Sequence, residues 1–214
     1  MKMACAADEI SQKYDVDVIF IAPYADIRRV AENTGRLFVF APYMDTLRPG
    51  RGMADVLPES LKAAGARGVI LNHCERPMAL ADIRKAIQRA DELELYTFAC
   101  ADTVDEARAV ACLGPDIINP EPSELIGKEG GNSIEFVKSA VSAVHAINST
   151  ILVELAAGIR TGKEVYRSII WGADGVGVSS GIMTAEDPVA VMDEMISAVK
   201  RGREEIRRKK NEGK

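Results

Sequence analysis

Short apolar runs alternate with longer amphipathic stretches along almost the whole chain. Residues 2 to 14 place apolar side chains at helical spacing, with polar residues on the other face. The run that follows, Val16 to Ala22, is apolar on both faces, as is typical of a strand buried in a parallel sheet. The pattern therefore predicts an amphipathic helix followed by a buried strand.

This pair of elements recurs to the end of the sequence. We predict helices at 2 to 14, 25 to 33, 58 to 64, 79 to 93, 104 to 113, 133 to 147, 163 to 171 and 187 to 209, and strands at 16 to 22, 37 to 41, 68 to 71, 95 to 100, 115 to 119, 150 to 155 and 175 to 178. A long loop rich in Pro, Gly and Arg, Pro42 to Asp55, interrupts the series. Strict alternation of strands and helices indicates an α/β fold, either an open doubly wound sheet or a closed barrel.

The order of the elements bears on the choice between these two folds. The pattern gives seven strands and eight helices and begins with a helix, so one strand is missing at the front. A (β/α)8 barrel typically takes about 250 residues, and this chain is shorter by roughly one β unit. A seven-stranded open sheet stays possible from the alternation alone.

Composition is that of one globular domain spanning residues 1 to 214, with 47% hydrophobic and 28% charged residues. No apolar run reaches the roughly 20 residues that cross a bilayer, and no signal peptide is visible, so we expect a cytoplasmic protein without a membrane partner.

The four cysteines lack C-x-x-C spacing, which argues against a zinc site and against a disulfide framework. The basic stretch Lys200 to Lys214 predicts a solvated helix end in preference to a nucleic-acid site.

Candidate chemistry lies at the strand ends, because reactive groups of parallel α/β folds collect at the carboxyl edge of the sheet. The strand at 68 to 71 runs into Asn72-His73-Cys74-Glu75-Arg76, and the strand at 115 to 119 runs through Pro120 into Glu121. A carboxylate facing an imidazole suits proton transfer on carbon and oxygen. The chain has two histidines, and the second, His145, falls within a predicted helix, so His73 is the better candidate.

Two turns near the carboxyl end of the chain are built of small residues. Leu155-Ala156-Ala157-Gly158-Ile159-Arg160-Thr161-Gly162 and Val178-Ser179-Ser180-Gly181-Ile182 follow the last two predicted strands and lead into the last two helices. Bare backbone N–H groups in such turns can approach an anion, and barrels often bind phosphate there. In either turn taken alone, the small residues are equally explained by the need for a tight turn.

Taken together, these segments resemble triosephosphate isomerase of the short archaeal type. The similarity rests on Asn72 to Arg76, on Glu121-Pro122-Ser123-Glu124-Leu125-Ile126-Gly127, on Ala157 to Gly162 and on Ser180-Gly181, and it covers nearly the whole chain. The resemblance implies a TIM (β/α)8 barrel whose first β-strand is missing.

The resemblance also implies the chemistry. Glu121 would be the base that shuttles a proton between the two substrate carbons of glyceraldehyde 3-phosphate and dihydroxyacetone phosphate, and His73 the group that polarises the carbonyl. Glu75 and Cys74 would support that pair without touching the substrate. Gly127, Ala157, Gly158, Ser180 and Gly181 would bind the phosphate, and residues 123 to 131 would form a lid.

The same resemblance suggests a small phosphorylated sugar as substrate and a homo-oligomer, either a dimer or a tetramer. No motif indicates a metal or an organic cofactor, and we expect no nucleic-acid partner. Several departures accompany it. The family carries an Asn and a catalytic Lys at the end of the strand that is absent here, so no lysine can be carried over. Met53 stands in the loop where a Thr normally reaches the neighbouring subunit, Cys74 replaces a Ser, and Ala156 replaces a Gly.

These departures keep other functions open. The chain could isomerise a different short sugar phosphate, or it could be a catalytically silent relative that still binds a phosphorylated ligand. The missing strand also leads us to expect that natural residues precede Met1, and that the chain as written is unstable or poorly soluble because two strand edges stay unpaired.

Overall fold

The computed structural model describes residues 1–122 and 132–212. Its strands are β1 (Ile19–Ile21), β2 (Phe38–Ala41), β3 (Gly68–Leu71), β4 (Tyr96–Ala101), β5 (Ile117–Pro120), β6 (Leu152–Leu155) and β7 (Gly175–Val176). Its helices are α1 (Lys2–Tyr14), α2 (Ile27–Asn33), α3 (Pro58–Ala63), α4 (Leu80–Asp91), α5 (Val104–Ala111), α6 (Ile134–His145), α7 (Gly162–Trp171), α8 (Ser180–Met183) and α9 (Pro188–Glu212), with a 3-10 turn at Tyr24–Asp26. Every predicted helix and strand is present within a few residues of its expected bounds.

The seven strands form one curled parallel sheet in sequence order, and helices separate consecutive strands. Each strand hydrogen-bonds to the next one along the chain, for example with Val69 opposite Thr97 and Ile118 opposite Val153. This order is that of a β/α barrel, and it excludes a doubly wound sheet, whose strand order reverses. Within the described residues no strand pairs with the outer edge of β1 or of β7.

Alternate residues of each strand pack on opposite sides of the sheet. In β3, Val69 and Leu71 join the core between sheet and helices, while Ile70 faces the interior of the barrel. The interior cluster consists of Phe40, Ile70, Phe98, Cys100 and Ile117. A Cβ on Gly68 would lie 2.3 Å from the Phe40 ring, so the absence of a side chain at that position makes room for the ring.

The first helix is fixed to the start of β2 by a buried carboxylate. Asp8 accepts hydrogen bonds from the backbone N–H groups of Gly35, Arg36 and Leu37 at 3.1, 2.7 and 3.2 Å. Burial opposes ionisation, but these amides together hold the pKa of Asp8 below its ordinary value. The hydrophobic pattern does not indicate this contact, because Asp8 falls on the polar side of the predicted first helix.

Helix α1 packs against α9, so the first and the last helix of the described chain are in contact. Lys13 Nζ lies 2.7 Å from Asp193 Oδ1, and the Tyr14 hydroxyl donates to Asp193 Oδ2 at 3.0 Å. Beyond this contact the last turns of α9 are exposed, in agreement with the predicted solvated end.

The long loop after β2 is ordered by a pair of hydrogen bonds across its base. Asp45 N–H donates to the Val56 carbonyl at 3.0 Å, and Val56 N–H donates to Asp45 Oδ2 at 2.7 Å. The Arg76 guanidinium, from the loop after β3, stacks 3.9 Å from the centre of the Tyr43 ring. Met53 stands fully exposed between these anchors.

No helix in residues 1–122 and 132–212 is long and apolar enough to cross a membrane.

Candidate active site

All seven strands are parallel, so their carboxyl ends meet at one edge of the sheet. The loops after β3, β5, β6 and β7 begin there, and they carry the residues that the sequence singled out. The predicted lid, residues 123 to 131, and Gly127 within it lie outside the described residues. The described part of the site therefore consists of the remaining loops.

Asn72 shapes the loop that carries the histidine. Its backbone has φ 57°, in the left-handed region that few residues other than glycine adopt, which turns the chain sharply at the end of β3. Its side-chain amide donates to the Cys100 carbonyl at 2.9 Å and accepts from Met78 N–H at 2.7 Å. These two bonds connect the loop to β4 and to the residues before α4, so the position of His73 is set by the fold.

His73 is held in one tautomer by its own loop. The backbone N–H of Glu75 donates to His73 Nδ1 at 3.3 Å. Because an amide N–H can only donate, Nδ1 is the unprotonated nitrogen and the ring proton is on Nε2. The imidazole is partly exposed at the edge of the sheet. It therefore presents an N–H donor to a ligand there.

The two residues after His73 surround the same ring. Cys74 Sγ lies 3.8 Å from His73 Nδ1, and Glu75 Oε2 lies 3.9 Å from it. Burial, followed by the charges of Glu121 and Glu75, raises the pKa of the Cys74 thiol. Cys74 is thus a neutral thiol beside the imidazole and within the electrostatic influence of the Glu121 carboxyl.

Glu121 follows the last residue of β5 and stays attached to the sheet. Its backbone N–H donates to the Ala101 carbonyl at 2.8 Å, and its Oε2 accepts from Asn119 Nδ2 at 3.1 Å. Burial raises the pKa of Glu121, while the Asn119 amide and the His73 imidazole lower it in part. The fold thus brings Glu121 and His73 into electrostatic contact across the edge of the sheet.

The two small-residue turns touch each other. Gly158 has φ 74°, a conformation that favours glycine, and Ala157 before it is buried. A Cβ on Gly181 would lie 2.9 Å from the Ile159 carbonyl oxygen, so only glycine lets the second turn approach the first this closely. The backbone N–H groups of Ala157 and Gly158 donate to no acceptor in the described ranges. The predicted phosphate-binding residues on these turns, with Ser180 exposed beside them, are therefore neighbours.

The second turn differs in one respect from the sequence expectation. It does not lead directly into the last long helix, because the four-residue helix α8 lies between β7 and α9. Four residues are too few to show a hydrophobic period, so the pattern could not reveal α8.

Two buried polar residues beneath the site were missed. Asn119 and Glu154 point into the barrel interior from β5 and β6, at 4% and 8% exposure, and each has one side-chain oxygen without a partner in the described part of the chain. A signal for Glu154 was present, since an acidic residue inside the apolar run Ile151 to Leu155 is unusual. Asn119 shares a strand face with Glu121, two residues away, which alternation alone could have indicated.

Glu154 is the more strongly perturbed of the two. Burial, then the charge of Glu121, raises the pKa of Glu154 to about 8. The side chain extends over β7, where Gly175 and Gly177 carry no side chain to meet it. The barrel interior thus holds a carboxyl that is protonated at neutral pH beneath a second, half-buried one.

Two cavities of the described chain lie away from this site. One of about 570 Å³ lies between α5 and α6, and one of about 460 Å³ lies at the opposite, amino-terminal edge of the sheet, beside Arg67 and Tyr96. Both are open and lined by surface residues, so neither offers the convergent polar groups of the strand-end site. No group of three or more His, Cys, Asp and Glu side chains in residues 1–122 and 132–212 is arranged to hold a metal ion.

Comparison with known proteins gives one consistent result. A family model described as "Triosephosphate isomerase" matches residues 2–198. Proteins named triosephosphate isomerase from Methanobacterium bryantii and Methanothermus fervidus are 35% and 34% identical to this chain, over 93% and 92% of its length and 89% and 90% of theirs. The protein of that name from Sulfurisphaera tokodaii is 35% identical over 88% of this chain and 83% of its own length.

Proposed function

The chain belongs to the triosephosphate isomerase family, and from that membership we propose that Glu121 and His73 are the groups that interconvert glyceraldehyde 3-phosphate and dihydroxyacetone phosphate here. The observation that carries this assignment is the placement of a half-buried carboxyl at the end of β5 opposite an imidazole at the end of β3. Glu121 is held by Asn119 of β5 and His73 by Glu75 of its own loop, so the pair exists before a substrate binds.

Glu121 is suited to removing a proton from carbon. It takes the proton next to the substrate carbonyl, the C–H electron pair becomes the carbon–carbon double bond of an enediolate, and the carbonyl oxygen gains negative charge. The hydroxyl proton then moves from one oxygen of the enediolate to the other, and returning the carbon-bound proton to the neighbouring carbon completes the isomerisation. Burial supports this role, because the raised pKa of Glu121 makes it a stronger base than an exposed glutamate.

His73 is suited to the oxygen side of the reaction. Its Nε2–H can hydrogen-bond to the carbonyl oxygen and stabilise the charge that develops there. The Glu75 backbone N–H that occupies Nδ1 supports this orientation. Cys74 and the Glu75 carboxylate flank the ring and, in this proposal, act only through it.

The substrate phosphate is assigned to the two neighbouring turns. The backbone N–H groups of Ala157 and Gly158 are available to an anion, and Gly181 and Ser180 lie against the same turn. Glycine at positions 158 and 181 keeps side chains away from the backbone, as close approach of a phosphate requires. A phosphorylated sugar is also what membership of the family implies.

We further propose that the chain forms a homo-oligomer through the loop after β2. Met53 is fully exposed in a loop that is itself fixed by hydrogen bonds, so its apolar side chain is available to pack against a second copy of the chain.

Turnover of glyceraldehyde 3-phosphate by the chain and by its Glu121→Gln variant tests the assignment. We expect a loss of at least about a thousandfold in kcat, with KM little changed, because the base is removed while the phosphate contacts remain. Glu135→Gln, on the exposed face of α6, is the matched control and should retain full activity.

The remaining outcomes separate the alternatives. Turnover of a four-carbon but not of a three-carbon sugar phosphate would assign a different substrate. Binding of a phosphate ester without turnover of either would indicate a catalytically silent relative. Full activity in Glu121→Gln would show that another residue is the base.

A further inference from the structure

A buried amide lies directly beneath the proposed base. Asn119 is 4% exposed, it belongs to β5, and its Nδ2 donates to Glu121 Oε2 at 3.1 Å. Residues two apart on a strand share one face, so Asn119 and Glu121 both point into the barrel. The amide therefore contacts the carboxylate from the interior, on the side away from solvent.

The amide can serve Glu121 in only one orientation. A carboxylate accepts and does not donate, so the nitrogen of the Asn119 side chain must face Glu121. The Oδ1 atom then points to the interior, where it has no partner in the described residues. A buried oxygen without a hydrogen bond lowers the stability of the fold. Core packing alone therefore does not explain why the amide takes this orientation.

The neighbouring strand limits where the amide can move. Asn119 pairs with Cys100 in the β4–β5 ladder, and burial raises the pKa of the Cys100 thiol, so this thiol is neutral. The amide thus lies between a neutral thiol and the Glu121 carboxyl. Of these two neighbours, the Glu121 carboxyl is the one that accepts a hydrogen bond from the amide.

The charged and titratable groups facing Glu121 come from every side of the interior. His73 and Cys74 face it from the loop after β3, Cys100 from β4, and Glu154 from β6. The two thiols and Glu154 are neutral at pH 7, so none of them favours an ionised Glu121. Among the described residues, the Asn119 amide is the hydrogen-bond donor that favours an ionised Glu121.

We propose that Asn119 is a positioning residue for Glu121, whose N–H group fixes the direction of the carboxylate and keeps it in the ionised form that accepts the substrate proton. The inference rests on the proposed role of Glu121 as the base. A carboxylate without this bond would be free to rotate and would take up a proton from solvent more readily. The amide acts through Glu121 and does not itself reach the substrate.

The experiment compares the chain with Asn119→Leu, which keeps the volume and removes the donor, and with Asn119→Asp, which keeps the shape and replaces the donor by an acceptor. The titration of Glu121 is followed by carbon-13 NMR of the glutamate carboxyls, with Glu121→Gln to assign its signal. We expect the midpoint to rise by about one pH unit in Asn119→Leu, since hydrogen bonds to charged groups contribute about 1.4 kcal/mol or more and one pKa unit corresponds to that amount. Asn119→Asp should raise it further.

The pH dependence of steady-state turnover gives an independent test of the same shift. The acid limb of kcat/KM should move to higher pH by the same amount as the NMR midpoint, and kcat on the plateau should fall about tenfold while KM stays within about twofold. Ile117→Val is the matched control, because Ile117 faces the same interior two residues earlier and makes no hydrogen bond with its side chain. It should leave both the midpoint and the acid limb in place.

The outcomes distinguish this proposal from the assignment of the base. An unchanged Glu121 midpoint in both Asn119 variants, or equal effects of Asn119→Leu and Ile117→Val, would overturn the positioning role. If Glu121→Gln keeps full turnover while the midpoint still shifts in Asn119→Leu, the hydrogen bond is real but Glu121 is not the base.

Discussion

The side chain of Glu154 occupies the space that a side chain at Gly177 would need. A Cβ built on Gly177 would lie 2.1 Å from Glu154 Oε1, well inside contact distance. Gly177 N–H also donates to the Leu155 carbonyl at 3.0 Å, so the backbone has little freedom to move away. The glycine after β7 is therefore explained by the acid on β6.

Gly177→Ala should destabilise the protein by about 1–3 kcal/mol, the usual cost of overpacking an interior. Glu154→Ala in the same chain should remove most of that cost, because it deletes the group that the new methyl meets. Urea unfolding of the two single variants and the double variant measures the coupling. Additive effects would contradict the assigned contact.

The buried acid also predicts how stability depends on pH. The pKa of Glu154 is raised from 4.5 to about 8 in the folded state, so between these values the folded chain holds a proton that the unfolded chain has released. Stability therefore falls as pH rises from about 4.5 to about 8 and is level above that. At pH 7 the free energy of unfolding is lower by about 3 kcal/mol than it is below pH 4.5, because each pH unit between the two pKa values removes about 1.36 kcal/mol.

Glu154→Gln should remove this slope and stabilise the protein at neutral pH. Unfolding measured from pH 5 to 9 tests the expectation, with Glu186→Gln, an exposed glutamate, as the control. A slope that survives in Glu154→Gln would assign the pH dependence to another group.

Asp8 predicts the opposite dependence at low pH. Its pKa is held below the ordinary value of 3.8, so the stability it contributes is present above that pH and is lost as pH falls through the lower, folded-state pKa. Asp8→Asn should cost about 1–3 kcal/mol at pH 7, since three backbone N–H groups lose a charged acceptor. Asp26→Asn, at an exposed helix start without a capping bond, should be neutral. Equal midpoints of urea unfolding for Asp8→Asn and Asp26→Asn would contradict this role.

The open edges of β1 and β7 predict that an added strand stabilises the chain. An apolar strand-forming segment fused ahead of Met1 should raise Tm, because it can pair with edges that have no partner in the described residues. The same segment with two prolines, which cannot pair, should leave Tm unchanged. Equal Tm for both extensions would show that the edges are not available.

The exposed Met53 predicts self-association. Light scattering should show a dimer or a larger oligomer, and Met53→Lys should shift the population towards the monomer, because a charge replaces an apolar contact at the loop tip. Glu75→Gln, on a neighbouring exposed loop, should not change the mass. A monomer at all concentrations of the unmodified chain would contradict the proposal.

The elements and their order were predictable from the sequence because buried strands such as Gly68–Leu71 and amphipathic helices such as α4 differ in period and are separated by turn residues. Short crossovers favour placing consecutive strands side by side, but the choice between a barrel and a doubly wound sheet required the observed strand order. His73 and Glu121 could be found in the same way, since each follows a strand end.

The polar interior could not be predicted in this way. Alternation can place Asn119 on the same face as Glu121, but whether Glu154 finds a partner depends on the stagger between β5, β6 and β7, which a linear pattern does not contain. The same holds for Asp8, whose amide partners lie 27 to 29 residues away.

The contact between α1 and α9 has a consequence for how the chain folds. Every strand pairs with its neighbour in sequence, whereas Lys13 and Asp193 are 180 residues apart. Local pairings form early because they close short loops, and a contact across almost the whole chain carries the largest entropic cost. We therefore expect the strand-helix units to assemble in succession during synthesis, and the two terminal helices to dock last and to separate first when the protein unfolds.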